Sequence, residues 1–519
     1  MVQIWQAAVV LTGTGDGEPV EVIRQGAVAV GGDRIVAVGP SAQLVERFPD
    51  AETIDVPDGL IMPGFVDGHH HQGLTPICRG ARAMSLEHVF THRRSLPGPT
   101  LYDDTLFGAL MLLRNGVTTV NHLHVGRRGP WSSWRDDADT VLAAYREAGI
   151  RVNFTFNFRD QNRLVYDGDD WFGEHLPGEL GRQMTDFLDG QDIPLDAYLD
   201  ELFVGLWKDH GRNTGSMARV ALAPHNLHWC TDESIVAIGE VARRHGVHVN
   251  MHLLESPRQK TYAERRTGTT AIRHLADLGV LDGGTWSLLH AVWATGDDLD
   301  VLAQTGTRVC SSIGSNLLMG SGIAPLYQMR ERGVPLSIGL DEGGMDGRYD
   351  VFSDLRLTQG VHQRADWDHA TLGCEELLLM ATAGAAASTE FADDIGTLQA
   401  GRLADFVVID WAAVNDPGGE AGPSAVDDLV MKASSSQIQA VVVGGRTVID
   451  HGVHPDVDET SLRQRIAHDM QSQRDHVSRD RILLERVRPH VAQYWANYCE
   501  PAELAHLRLD GDPVRETTA

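Results

Sequence analysis

The chain has 519 residues, 42% hydrophobic and 22% charged, and its 44 basic and 72 acidic side chains leave a formal charge of −28. That length exceeds one ordinary core and fits a large unit with a smaller companion. No run of about 18 apolar residues argues for a membrane span, and so acidic a surface would repel a phosphate backbone or an anionic lipid layer. The expectation is a soluble protein with a small-molecule substrate and neither nucleic acid nor membrane as partner.

In chain order, the N-terminus enters strand-like sequence without a basic leader, so no export signal is read and a cytoplasmic location is expected. Residues 1–60 hold short β-branched runs, Gly26 to Val30 and Arg34 to Val38, between glycine-rich turns. From 61 to 399, apolar strands (Arg151 to Phe156, Val247 to His252, Ser287 to Leu289, Leu336 to Leu340) alternate with helical stretches such as Ala138 to Ala148 and Asp232 to His245. The segment 158–215 interrupts this rhythm with Trp171, Phe172, Phe187, Tyr198 and Trp207 among many acids, either covering a barrel mouth or simply packing as helices. Strand patterns return at Ala404 to Asp410 and in a hairpin, Ala440 to Val443 and Arg446 to Asp450 around Gly444-Gly445. The stretch 456–519 is charge-rich and helical, for example Leu462 to Asp475 and Ile482 to Trp495, and reads as a packing appendage or an oligomer contact.

The fold class expected is α/β: a (β/α)8 TIM-type barrel over 61–399, a small β-sandwich domain built from 1–60 and 400–455, whose pieces share a sheet, and a helical C-terminal extension over 456–519. Cys78, Cys230, Cys310, Cys374 and Cys499 are scattered and form no CxxC pair. Neither a disulfide framework nor a thiolate zinc site is expected, and a reducing compartment fits.

The strongest local signal is Ile61-Met62-Pro63-Gly64-Phe65-Val66-Asp67-Gly68-His69-His70-His71. Side chains alternate along a strand, so His69 and His71 share a face and His70 points away. Two imidazoles on one face at the end of an apolar strand can grip one ion. His252 ends a second alternating strand and Glu255 follows on the loop. By its residues alone Glu255 is either a surface acid or a proton carrier whose pKa burial has raised. His290 and Asp341 each cap a further apolar run. A histidine there is commonly a satisfied core residue, whereas a buried carboxylate needs a metal or a donor to keep its charge.

With these motifs, Arg79-Gly80, Gly116 to Val120, Ala223-Pro224-His225, Ser315-Asn316, Gly320 to Pro325, Gly384-Ala385-Ala386 and Ile395 to Asp405 resemble the amidohydrolase superfamily, in its deaminase and chlorohydrolase branch, over about 1–455. The resemblance implies one divalent metal per chain, zinc first and iron, manganese or cobalt as alternatives, held by His69, His71, His252 and Asp341. A second metal in this family usually needs a lysine on the fourth strand, and Ala218 to Pro224 offers none. It further implies hydrolysis by metal-activated water, with His290 orienting the water, Asp341 accepting its proton and Glu255 protonating the leaving side. His225 would face the substrate, and His228, Arg79, Ser311 and Glu342 are the other substrate-binding candidates. A homo-oligomer is also implied.

Departures from the branch surround the pocket: Ser311-Ser312-Ile313-Gly314-Ser315-Asn316, Glu342 after Asp341, and Asn226-Leu227-His228-Trp229 after His225. With His122 and His124 at another strand end, they suggest a substrate unlike a common purine, unless those two histidines are simply packed. The reaction expected is hydrolytic deamination of an aminated heterocycle or cyclic amidine. The alternative is cleavage of an amide, urea, carbamate, C–Cl or C–S bond, and a non-catalytic scaffold is disfavoured by the intact ligand set.

Overall fold

The computed structural model describes residues 2–13, 20–71, 73–81, 84–93, 95–125, 130–189, 192–211, 217–281, 283–363, 372–475 and 478–499. The strands, in chain order, are β1 Val2–Leu11, β2 Val22–Gly31, β3 Arg34–Pro40, β4 Glu52–Pro63, β5 Phe65–His70, β6 Val117–His124, β7 Arg151–Phe158, β8 Ala218–Val220, β9 Ala223–Pro224, β10 Val249–Leu253, β11 Trp286–His290, β12 Arg308–Ser311, β13 Leu336–Ile338, β14 Phe406–Asp410, β15 Ile438–Val443 and β16 Arg446–Asp450.

The two terminal regions share one seven-stranded sheet in the order β16-β15-β14-β4-β1-β2-β3. β4 joins the halves, parallel to β1 on one side and antiparallel to β14 on the other. The expected common sheet is therefore present as a single continuous one. Its β15–β16 hairpin turns at Gly444 and Gly445, whose φ values of +57° and +74° suit glycine.

The intervening strands are parallel and form two sheets, β5-β6-β7-β8 and β10-β11-β12-β13, with β9 paired to β7. β6 and β7 are buried at every position, as strands covered on both faces must be. Single parallel bridges, Leu222–Val249 and Asn226–His252, tie the end of the first sheet to β10, and another, His70–Asp341, ties the end of β13 back to β5. Glycine permits that last approach: a Cβ on Gly339 would stand 2.6 Å from the His69 nitrogen.

The expected helix Asp232–His245 forms, with Thr231 accepting from the Ser234 N–H and Gly246 ending it at φ +64°. The C-terminal segment folds as helices Glu459–Asp475 and Arg479–Ala496. The second of these packs against residues 164–188 in a separate hydrophobic cluster containing Tyr166, Phe172, Met184, Val487 and Trp495. No helix among the described residues is long and apolar enough to cross a membrane.

Candidate metal centre and active site

Four of the sequence candidates meet at the strand ends. His69 Nε2 and His71 Nε2 each lie 3.3 Å from Asp341 Oδ1, and His252 Nε2 lies 3.3 Å from His71 Nε2. All four side chains are buried. His71 Nδ1 is 2.9 Å from the Leu123 carbonyl and His252 Nδ1 is 3.1 Å from that of His225. A carbonyl only accepts, so each Nδ1 carries the proton and each Nε2 presents a lone pair. Two facing lone pairs at 3.3 Å repel unless a cation lies between them. Neither ring nitrogen of His69 has a hydrogen-bond partner, and the remaining Asp341 oxygen is held by the Ser315 hydroxyl at 2.5 Å. Orphaned imidazole nitrogens, fixed tautomers and one carboxylate are the donor set a divalent ion requires. The spacing also suits it, since roughly 2.0 Å bonds in a tetrahedron set ligand atoms about 3.3 Å apart.

Electrostatics agree with this donor set. Burial pushes His69 down to about 3 despite Asp341, and holds His252 and His225 well below the ordinary imidazole range. Burial alone would raise Asp341, but the imidazole of His69 at 3.3 Å, then those of His71 and His290, hold its carboxyl well below the usual range.

His290 and Glu255 stand beside it. His290 Nδ1 is 2.9 Å from Asn316 Oδ1, and its Nε2 faces Glu255 Oε2 at 3.6 Å. Glu255 is buried, not a surface acid, and burial first, then the charges of Asp341, Glu87 and Glu342, lifts its carboxyl well above the ordinary value. Leu254, His290, Ala291 and Asp341 all have φ between +47° and +72°. Such backbone costs about 1–3 kcal/mol per residue and clusters where side chains must be aimed.

A cavity of about 320 Å³ opens over the cluster, lined by His71, His252, His290, Asp341 and Glu255 together with Arg79, His225 and Glu342. Arg79 is fixed by the carbonyls of Pro97 and Leu96 at 2.7 and 3.1 Å, and Glu342 is ion-paired with Arg93. Two substrate-binding candidates fall elsewhere. His228 packs against Tyr166 and Trp229, with ring centroids 4.0 and 4.2 Å away and the rings tilted. Ser311 is buried at the end of β12, where its carbonyl accepts from the Gly339 N–H. Neither is among the described residues that line the cavity. His122 and His124 are packed in β6, His122 at 2.6 Å from the Tyr145 hydroxyl.

Sequence reasoning passed over Arg159 and Arg163, which line the cavity and pair with Asp192 at 3.1 Å and Asp169 at 2.9 Å. Arg159 directly follows β7, the same strand-end signal that found the histidines. Gln473, from the C-terminal extension, also reaches the cavity wall.

The chain is 28% identical over 448 residues, 85% of its length and 92% of the relative's, to a 5-methylthioadenosine/S-adenosylhomocysteine deaminase of Syntrophobacter fumaroxidans. It is 24% identical over 434 residues, 82% and 89% of the two chains, to a 5'-deoxyadenosine deaminase of Methanosarcina barkeri. Among solved structures, an adenosine deaminase from Xanthomonas campestris with bound zinc superposes with a TM-score of 0.73 at 23% identity over 91% of this chain and 99% of that one. The zinc complex of atrazine chlorohydrolase from Arthrobacter aurescens TC1 gives 0.74 at 23% identity over 90% and 100%. The model of the amidohydrolase family matches residues 60–448, most of the chain, including His69, His71, His252, Glu255, His290 and Asp341. The chain belongs to the amidohydrolase family.

Proposed function

We propose that this chain is a metal-dependent hydrolase that deaminates an aminated heterocycle, with adenosine-type nucleosides as the first substrates to test. The observation that carries this reading is the Glu255–His290 pair. A buried carboxyl whose pKa burial raises stands 3.6 Å from an oriented imidazole on the wall of the cavity above the cluster. Adding water to a heteroaromatic carbon is helped by a proton delivered to the ring nitrogen, and a carboxyl whose pKa burial has raised is suited to deliver one.

His69, His71, His252 and Asp341 would hold one divalent ion, zinc first, and no lysine in Ala218 to Pro224 is available to bridge a second. The ion supplies the Lewis acidity that makes water nucleophilic near neutral pH. Asp341 would take the proton of the attacking water and pass it to the departing amino nitrogen, His290 would orient that water through Nε2, and Glu255 would protonate the ring nitrogen and recover a proton from the new hydroxyl as the ring carbonyl forms. His225, Arg79 and Glu342 face the substrate from the cavity wall, and we add Arg159 and Arg163 to that set. The names of the curated relatives support a nucleoside substrate.

We read the two parallel sheets as one eight-stranded (β/α)8 barrel over 61–399, a reading supported by the single bridges at Leu222–Val249, Asn226–His252 and His70–Asp341. Residues 1–60 with 400–455 then make the small β domain and 456–519 the extension.

The test is ammonia release, with products read by mass spectrometry, from 5'-methylthioadenosine, S-adenosylhomocysteine, 5'-deoxyadenosine, adenosine and aminotriazines, with atrazine and simple amides alongside. Ammonia released in step with a ring carbonyl is the expected result. Turnover of atrazine or an amide with no ammonia from any aminoheterocycle would replace this reading.

A further inference from the structure

Behind Glu255 lies a buried ion pair that belongs neither to the metal ligands nor to the cavity lining. Glu87, on the helix Leu86–Arg93, is 1% exposed, and Arg258, at the start of the helix Pro257–Thr267, is 7% exposed. Arg258 Nη1 is 2.7 Å from Glu87 Oε2. The Ser256 hydroxyl donates to Glu87 Oε1, and the Tyr166 phenol reaches the same oxygen at 3.4 Å.

These contacts run directly to Glu255. Ser256 is the N-cap of the helix Pro257–Thr267 and accepts from the Gln259 N–H. Gln259 Oε1 in turn accepts from the Glu255 N–H at 2.8 Å. Glu87 thus fixes the cap, the cap fixes Gln259, and Gln259 fixes the backbone of Glu255. The turn needs an external brace because Leu254, just before Glu255, sits at φ +53°.

The C-terminal extension covers this assembly. Trp495, 1% exposed on the helix Arg479–Ala496, has its ring centroid 5.7 Å from the Arg258 guanidinium carbon and 4.6 Å from the Tyr166 ring, edge to face. Burying an ion pair adds little net stability over apolar packing of the same volume, but it fixes the orientation of what it binds.

We infer that Glu87 and Arg258 form a positioning brace for Glu255, which Trp495 keeps dry, so that the C-terminal helix is a working part of the active site. This rests on Glu255 being the proton carrier. Glu87 and Arg258 do not touch the substrate, and their effect passes through the Ser256 cap and Gln259.

The test uses the full-length, metal-loaded enzyme and the nucleoside it turns over fastest. Glu87→Gln is expected to lower kcat by about 10- to 100-fold, the scale of a 1 Å misplacement, with KM and bound metal within about twofold of wild type. Amide exchange across 253–259 should quicken while the other barrel strands keep their protection. If Glu87→Gln leaves Arg258 unpaired and does not fold, Glu87→Gln/Arg258→Met removes both charges and carries the same expectation. Where the singles fold, the double should lose no more than either. Arg258→Lys should recover part of what Arg258→Met loses, and Trp495→Phe should lose less than Trp495→Ala. Wild-type kcat and protection in the double variant, with Glu255→Gln inactive, overturns the inference alone. A fully active Glu255→Gln enzyme overturns the proton-carrier reading and the inference together.

Discussion

Asp341 and His69 meet twice. The backbone N–H of Asp341 donates to the His69 carbonyl at 2.7 Å, and its Oδ1 lies 3.3 Å from His69 Nε2. The junction that draws the end of β13 onto β5 is thus also the core of the ligand cluster, and the two roles separate by substitution. Asp341→Asn keeps the backbone bond and removes the charge, so a folded protein with weakened metal binding is expected. Its kcat should fall by at least about 1000-fold if, as proposed, Asp341 both binds the ion and takes the proton. Asp341→Ala should abolish turnover. Metal content by elemental analysis and steady-state kinetics check both, and normal activity in either variant would sink the assignment.

Glu255→Gln isolates the acid. Its side chain is nearly isosteric and Glu255 is outside the groups of side chains that could hold an ion among the described residues, so bound metal is expected to stay at the wild-type level. The kcat should fall by about 100- to 10,000-fold, the usual contribution of a positioned acid, with KM little changed. A variant that loses metal and activity in parallel would instead place Glu255 among the ligands.

Much of this centre was legible in the sequence because strand parity and strand-end position are local properties. His69 and His71 share a face by alternation, and His252, His290 and Asp341 close apolar runs that must be buried. What alternation does not report is depth behind the first layer. His228 follows His225 by three residues, but it packs on Tyr166 and Trp229 outside the cavity wall. The weight it lent to an unusual substrate falls accordingly. Ser311 turned out to be a buried strand end whose carbonyl joins β12 to Gly339. Glu87, in contrast, stands in a helical stretch with nothing local to mark it, and its importance exists only once Arg258 and Ser256 are folded against it. The terminal sheet was visible as β-branched runs, but that β4 joins its two halves depends on a pairing 340 or more residues apart in the chain, as between Met62 and Val407.

Metal and pH act on the same imidazoles. His69 titrates near 6.5 when free and is pushed to about 3 by burial in the folded chain. Between those values the unfolded state binds the proton and the native state does not, so the stability of the metal-free protein rises with pH across that window and falls on acidification. Zinc binding needs the same unprotonated rings, so its contribution should shrink in the same direction. Thermal melts of metal-free and zinc-loaded protein from about pH 4 to pH 8 are expected to show a zinc-dependent rise in Tm that is largest at the alkaline end and fades toward the acid end. A Tm indifferent to chelation at every pH would contradict the donor set.

Asp354 should titrate with the opposite sign of stability. It is buried on the helix Val351–Val361, and its Oδ2 has no partner. Burial, with Asp350, Asp67 and Asp346 adding to it against the Gly314 N–H, lifts its carboxyl from 3.8 to about 8. Between those values the native state holds a proton that the unfolded chain has released. Stability therefore falls as pH rises through the window, and the native state bears the full penalty above it. Asp354→Asn keeps an oxygen for the Gly314 N–H and removes the titration. The variant is expected to match wild type near about pH 4 and to melt a few degrees higher by about pH 8, the gap widening steadily between them. Melting curves at matched ionic strength decide it: an asparagine variant less stable than wild type at the alkaline end would show that the Asp354 carboxylate is paired in the native state, not protonated.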